Sequence, residues 1–138
     1  MQKDIPACIE LGKEFAYLSQ PIHRFSVSEN RIRLFANEVI NDPNCVVVVS
    51  ENDGKVDGVL AGGIVSIFFS EDIALQELVW YVKKNVKGMP MLDLFETQGK
   101  NLGANRIIVG NKPQYYDLKR LYERRGYSLL ENHFVKVV

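Results

Sequence analysis

The sequence is poor in the side chains that build metal centres and disulfide frameworks, with two cysteines and two histidines in 138 residues. Cys8 and Cys45 have no metal-type spacing. One falls in a helix-like segment and the other opens a strand-like run, so both are expected as buried free thiols. His23 and His133 have no partner at metal or triad spacing. His23 is expected in a loop and His133 on a strand surface. No metal is expected.

An excess of one charge is also missing: 17 Lys and Arg are matched by 17 Asp and Glu. That removes the overall basic footprint of a nucleic-acid or membrane-surface partner. No apolar run reaches the roughly 18 residues of a membrane span. The first residues, "MQKDIPACIE", carry no apolar signal core, and a cytoplasmic location is expected.

What remains is ordinary globular material, 46% hydrophobic and 25% charged. The length suits a single domain over 1–138, large enough to bury a core without staples.

"DIPACIELGKEFAYLS" reads as a helix, with Cys8, Leu11, Phe15 and Leu18 at helical spacing and Pro6 in its first turn. "QPIHRFSV" reads as a loop. "SENRIRLFANEVIND" reads as a second helix, capped by Ser28 and apolar at Ile32, Phe35, Val39 and Ile40. "CVVVVS" is β-branched and reads as a buried strand. Asp53-Gly54 suits a tight hairpin into a second strand, "VLAGGIVSIFF". There the Gly62-Gly63 pair signals a bulge or the close approach of another backbone. "IALQELVWYV" is a third, antiparallel strand.

The pattern then changes. "MPMLDLFETQGKNLGA" reads as a helix through Leu92, Phe95 and Leu102, with Gly103 at its C-terminal cap. "NRIIVG" is a short strand, parallel to the third because a helix joins them. "KPQYYDLKRLYERRG" is a further helix, from near Pro113 to Gly126. "YSLLENHFVKVV" closes with two strand-like pieces about Glu131-Asn132. The class is α+β, with a mixed, mostly antiparallel sheet flanked by helices.

The chemistry concentrates around "YVKKNVKGMPMLDLFE", where a strand leads through a basic loop into a helix. Free N–H groups and the dipole make a helix N-terminus an anion site. Lys84 and Lys87 add charge, and Gly88 lets a ligand approach the backbone. The bland alternative is a solvated turn. Glu77 is the one carboxylate inside the third strand. By alternation it shares a face with Val79 and Tyr81. A carboxylate partly withdrawn from water can act as general base near neutral pH; the alternative is a residue facing solvent. Tyr122 either packs its ring with Leu118 and Leu121 or offers its hydroxyl to a reacting group. Tyr115 and Tyr116 carry no functional expectation. Asn111 either caps the last helix or touches a ligand. The basic side chains of "KRLYERR" read as a solvated face.

Two signatures and the order of elements give these pieces a common meaning. "YVKKNVKGMPML" has a valine-ended strand, then Lys87-Gly88. "LYERRGY" supplies Tyr122, Gly126 and Tyr127. Together with "NLGANRIIVGN", they make nearly the whole chain, from about Ile5 to Val138, resemble the GCN5-related N-acetyltransferase (GNAT) family. The likeness looks closest to short bacteriophage acetyltransferase-like proteins, which would place the protein in a host cytoplasm.

The resemblance implies acetyl transfer from acetyl-CoA, as co-substrate, to a primary amine on a small molecule or peptide. It implies Glu77 as base and Tyr122 as the donor to the departing thiolate. CoA would lie along Tyr81 and Val82 and over Lys87, Gly88, Met89, Pro90, Met91 and Leu92, with Asn111 near the pantetheine. A homodimer is common in the family. The loop departs from the pattern where two small residues belong. Pro90 has no N–H to give, Leu92 is expected to limit the approach of a pyrophosphate, and Lys87 lacks the planar fork of arginine. These departures favour the alternative of a catalytically degenerate domain of the same fold, acting as a binding or inhibitor protein.

Overall fold

The structure is a computed structural model that describes residues 2–23, 25–114 and 117–138. A turn of 3-10 helix leads into α1 (Ile5–His23), followed by α2 (Glu29–Asn41), β1 (Cys45–Asn52), β2 (Lys55–Ser66), β3 (Ile73–Val82), α3 (Met89–Asn101), β4 (Arg106–Ile108) and α4 (Lys119–Arg124). The strands form one sheet in the order β1-β2-β3-β4. β1, β2 and β3 pair antiparallel, and β4 joins β3 in parallel. The sheet is therefore mixed, as expected.

Local chemistry sets most boundaries. Asp53 and Gly54 both have positive φ, at 52° and 74°. They form the two-residue turn that joins Asn52 to Lys55, with a twist that matches the strands. The Ser28 side chain accepts from the Arg31 N–H at 3.3 Å and caps α2. Ser28→Ala is expected to cost about 1 kcal/mol, read as a lower urea midpoint with an unchanged slope. α3 and α4 end alike. Gly103 N–H donates to the Lys100 carbonyl and Ala104 to Gly99; Gly126 donates to Glu123 and Tyr127 to Tyr122. Both are Schellman closures.

The valine run of β1 is apolar throughout because both faces of the sheet are covered. Val46 and Val48 join Leu60, Leu75, Met91, Leu92 and Phe95 in a core cluster on the α3 side. Val47 and Val49 pack instead against Cys8, Leu11 and Val59 on the α1 side. Cys8 and Cys45 are free thiols, the first buried and the second only half-buried. Burial, then the nearby Asp4 carboxylate, pushes the Cys8 thiol up to about 11.

Several expectations fail. "QPIHRFSV" is not all loop, because α1 runs on to His23. Leu18 and Phe35 stand exposed rather than on buried helix faces, and Leu102 is an exposed cap residue of α3. α4 spans six residues instead of reaching back to Pro113; Tyr115 and Tyr116 lie outside the described residues. The two closing strands are absent: residues 128–138 carry no strand and are exposed throughout, Phe134 and Val138 included. A strand needs a neighbour to take up its backbone groups, and local β-propensity does not supply one. His133, at 3.3 Å from Glu131, is an exposed residue of this segment.

Candidate functional site

β3 and β4 pair only over Ala74↔Arg106, Leu75↔Ile107 and Gln76↔Ile108. Beyond that point they part. On the other edge of β3 the register with β2 slips, Ala61 facing Val79 but Gly62 facing Glu77, which leaves Leu78 as an extra residue. That is a β-bulge, and it bends the strand. Its partner is Gly62, as the glycine pair suggested. A methyl group there would lie 2.5 Å from the Gln76 carbonyl oxygen and 2.6 Å from the Phe95 ring. The bulge also breaks the alternation: Leu75, Trp80 and Val82 all join the α3-side core, which a strict two-residue period forbids. Tyr81 packs on the other side with Phe15, ring centres 6.4 Å apart. The face assigned to Glu77 from Val79 and Tyr81 therefore does not follow.

Glu77 is the first residue past the paired stretch, and its side chain is 4% exposed. Its Oε1 accepts from the Gly110 N–H at 3.0 Å, bridging the strands where the backbone ladder has ended. Oε2 lies 3.3 Å from Lys112 Nζ. The Tyr122 hydroxyl donates to the Gly110 carbonyl at 2.9 Å. One residue, Gly110, thus holds a carboxylate through its N–H and a phenol through its carbonyl. Burial, then the charge of Glu77, pushes the Tyr122 phenol well above its usual range. It stays neutral and keeps its proton.

These groups line a cleft of about 220 Å³, whose wall also includes Trp80, Val82, Gly88, Met89 and Leu118. The Trp80 indole N–H is buried and has no acceptor among the described residues. It sits beside Gly88, where a methyl group would be 3.5 Å from Nε1. A buried donor without a partner is costly, and a ligand oxygen above Gly88 would satisfy it.

The basic loop ends at Gly88, the N-cap of α3, with no acidic side chain in the first turn to offset the dipole. Pro90 offers no donor there, as expected, and the Met91 N–H is taken by the Gly88 carbonyl at 3.1 Å. Met91 and Leu92 point into the core, 4% and 0% exposed. Leu92 therefore does not form the bulky wall that the sequence suggested. Lys87 and Pro90 are exposed, outside the cleft lining.

Asn111 accepts from Leu118 N–H at 2.8 Å and donates to Asp117 at 3.0 Å. It takes the capping role at the start of α4. Of the singled-out residues, the cleft thus brings together Glu77, Val82, Gly88, Met89 and Tyr122. Sequence reasoning missed Trp80 and Lys112. Trp80 is the only tryptophan in the chain, which was a signal; nothing near Lys112 in sequence marks it.

A larger hollow of about 500 Å³ lies between the start of α1 and the β1–β2 turn, lined in part by Lys3, Glu10, Glu51, Lys55 and Lys83. Its charges are mixed, and it lies away from the strand split, so the smaller cleft is the candidate site. No group of three or more His, Cys, Asp or Glu side chains is placed to hold a metal among the described residues, and none of their helices is long and apolar enough to cross a membrane.

No protein-family model and no curated protein matches the sequence; the likeness is to solved structures. A predicted acetyltransferase from Clostridium acetobutylicum, with acetyl-CoA, is similar over 99% of this chain and 92% of its own, with a TM-score of 0.77 at 12% identity. The aminoglycoside N-acetyltransferase AAC(6')-Iy in complex with CoA is similar over 99% and 90%, with a TM-score of 0.72 at 12% identity. A ribosomal-protein-alanine N-acetyltransferase from Brucella melitensis biovar Abortus 2308 is similar over 97% and 94%, with a TM-score of 0.67 at 14% identity. The fold is that of the GNAT acetyltransferases.

Proposed function

We propose that the protein is an N-acetyltransferase that moves an acetyl group from acetyl-CoA to a primary amine by direct attack. One observation carries this reading: β3 and β4 part after Gln76 and Ile108, and Glu77 and Tyr122 meet at Gly110 across that split. Structural neighbours solved with acetyl-CoA or CoA support it.

The strand edge freed beyond Gln76 offers backbone groups to the pantetheine amides, as an added strand would. The phosphates lie over the N-terminus of α3. There the Gly88 and Met89 N–H groups, the uncompensated dipole and the Lys84 and Lys87 charges act together. The Trp80 N–H takes a ligand oxygen above Gly88. Glu77 withdraws a proton from the amine, which then attacks the thioester carbonyl. A backbone N–H of β3 beyond the split stabilises the oxyanion. Tyr122 holds its proton more tightly than a thiol with pKa of about 8.5, so it acts as a neutral hydrogen-bond donor to the departing sulfur. To do so its hydroxyl leaves the Gly110 carbonyl.

Calorimetric titration with acetyl-CoA tests the reading. The parent is expected to bind, and Gly88→Trp to lose affinity by at least about a hundredfold, roughly 2.7 kcal/mol. Space at Gly88 is already tight, with a methyl group 3.3 Å from the Trp80 ring. Its φ of −90° suits any residue, and a thermal melt of the variant beside the parent separates lost binding from lost fold. A parent that shows no heat of binding would sink the proposal.

The loss of two first-turn donors, at Pro90 and Met91, favours a second reading: a domain of this fold that binds a partner without catalysis. Assay of CoA thiol release over a panel of amines separates the two, since the second reading requires none with any amine.

A further inference from the structure

The acceptor of the proposed reaction is a primary amine, and the cleft already contains one. Lys112 Nζ lies 3.3 Å from Glu77 Oε2, within the reach that proton transfer requires. The Glu77 side chain is 4% exposed and Lys112 is 30% exposed. The carboxylate is fixed by the Gly110 N–H at 3.0 Å, whereas the lysine, on a flexible four-carbon stem, borders open space. Its ammonium also stands over the Phe15 ring, 5.7 Å from the centre. Glu77, Lys112 and Tyr122 all face the same cleft.

We propose that Lys112 is a self-acetylation site: bound acetyl-CoA transfers its acetyl group to Lys112 Nζ within the same chain, with Glu77 as base. This rests on the acetyltransferase reading and adds an acceptor to it. The Nζ–C bond forms and the C–S bond breaks. Of the two protons that the lysine ammonium gives up, one passes through Glu77 to solvent. The other ends on the sulfur of CoA. The product amide carries no charge, so the pair with Glu77 is lost and the reaction stops at one acetyl group per chain.

The test incubates the whole protein with acetyl-CoA and no added amine, then follows the intact mass and the peptide holding residue 112. The expected result is a single increment of about 42 Da on Lys112. Its first-order rate is independent of protein concentration, and Glu77→Gln slows it more than tenfold. Lys112→Arg, which keeps the positive charge, leaves that peptide unmodified. Acetylation of Lys112 no faster than that of the exposed Lys55 and Lys136, and unchanged in Glu77→Gln, is solution chemistry and overturns the inference. Calorimetric binding of acetyl-CoA with no acetyl group on Lys112 overturns it while leaving the acetyltransferase reading in place. Absence of acetyl-CoA binding overturns both.

Discussion

Glu77→Gln is expected to lower the turnover of acetyl transfer by about 10²- to 10⁴-fold, the usual worth of a positioned general base. The substitution keeps the shape of the side chain. The amide oxygen can still accept from the Gly110 N–H, which Glu77 holds at 3.0 Å, so the local backbone has no cause to move. What is lost is the capacity to take a proton, and with it the ion pair to Lys112. The effect should fall on kcat, with acetyl-CoA affinity by calorimetry within about threefold of the parent, since no phosphate contact is touched. Thiol release measured at saturating amine, beside a thermal melt, checks both halves. A variant with parental kcat would remove Glu77 from the chemistry even if the protein is an acetyltransferase.

Phe95→Ala is expected to destabilise the fold by about 3–5 kcal/mol, a large part of the 5–15 kcal/mol typical of a domain. Phe95 is fully buried on α3. Its ring lies where a side chain on Gly62 would otherwise be, against the part of β2 opposite the bulge. Removing the ring leaves a cavity that backbone on two strands cannot collapse to fill. Phe95→Leu keeps most of the volume and is expected to cost less than about 1.5 kcal/mol. Urea unfolding of the two variants beside the parent reads the difference. A loss below 1 kcal/mol for the alanine variant would contradict this account of the core.

The two expectations meet at one place in the chain. The β3 bulge needs Gly62, the space beside Gly62 is filled by Phe95, and Phe95 anchors the helix whose N-terminus carries Gly88. The cleft is thus held open by packing behind it. Glu77 lies between the last β3–β4 pair, at Gln76, and the extra residue of the bulge, Leu78, an exposed leucine with no chemistry of its own.

Some of this was legible from neighbouring residues alone. Ser28 caps α2, Asp53-Gly54 turns the hairpin, and Gly103 and Gly126 close their helices, because each device acts within a few residues of itself. Glu77 and Tyr122 could be picked out as chemistry-bearing, but not brought together. The Leu92 error is instructive. Leu92 and Phe95 share a helix face three residues apart, and that spacing already aimed Leu92 at the core rather than at a ligand.

The sequence by itself determined the type and order of the main elements from α1 to β4 and the basic loop at the start of α3. Those depend on periodicity, β-branching and turn chemistry, which are short-range. Only the tertiary structure decided that the β3–β4 ladder ends at Gln76, that Lys112 stands opposite Glu77 from 35 residues away, and that Gly110 holds both Glu77 and Tyr122. It also decided that 128–138 forms no strand. Each of these depends on which backbone and side-chain groups meet across the fold, and a hydrogen bond or an ion pair exists only when both partners arrive.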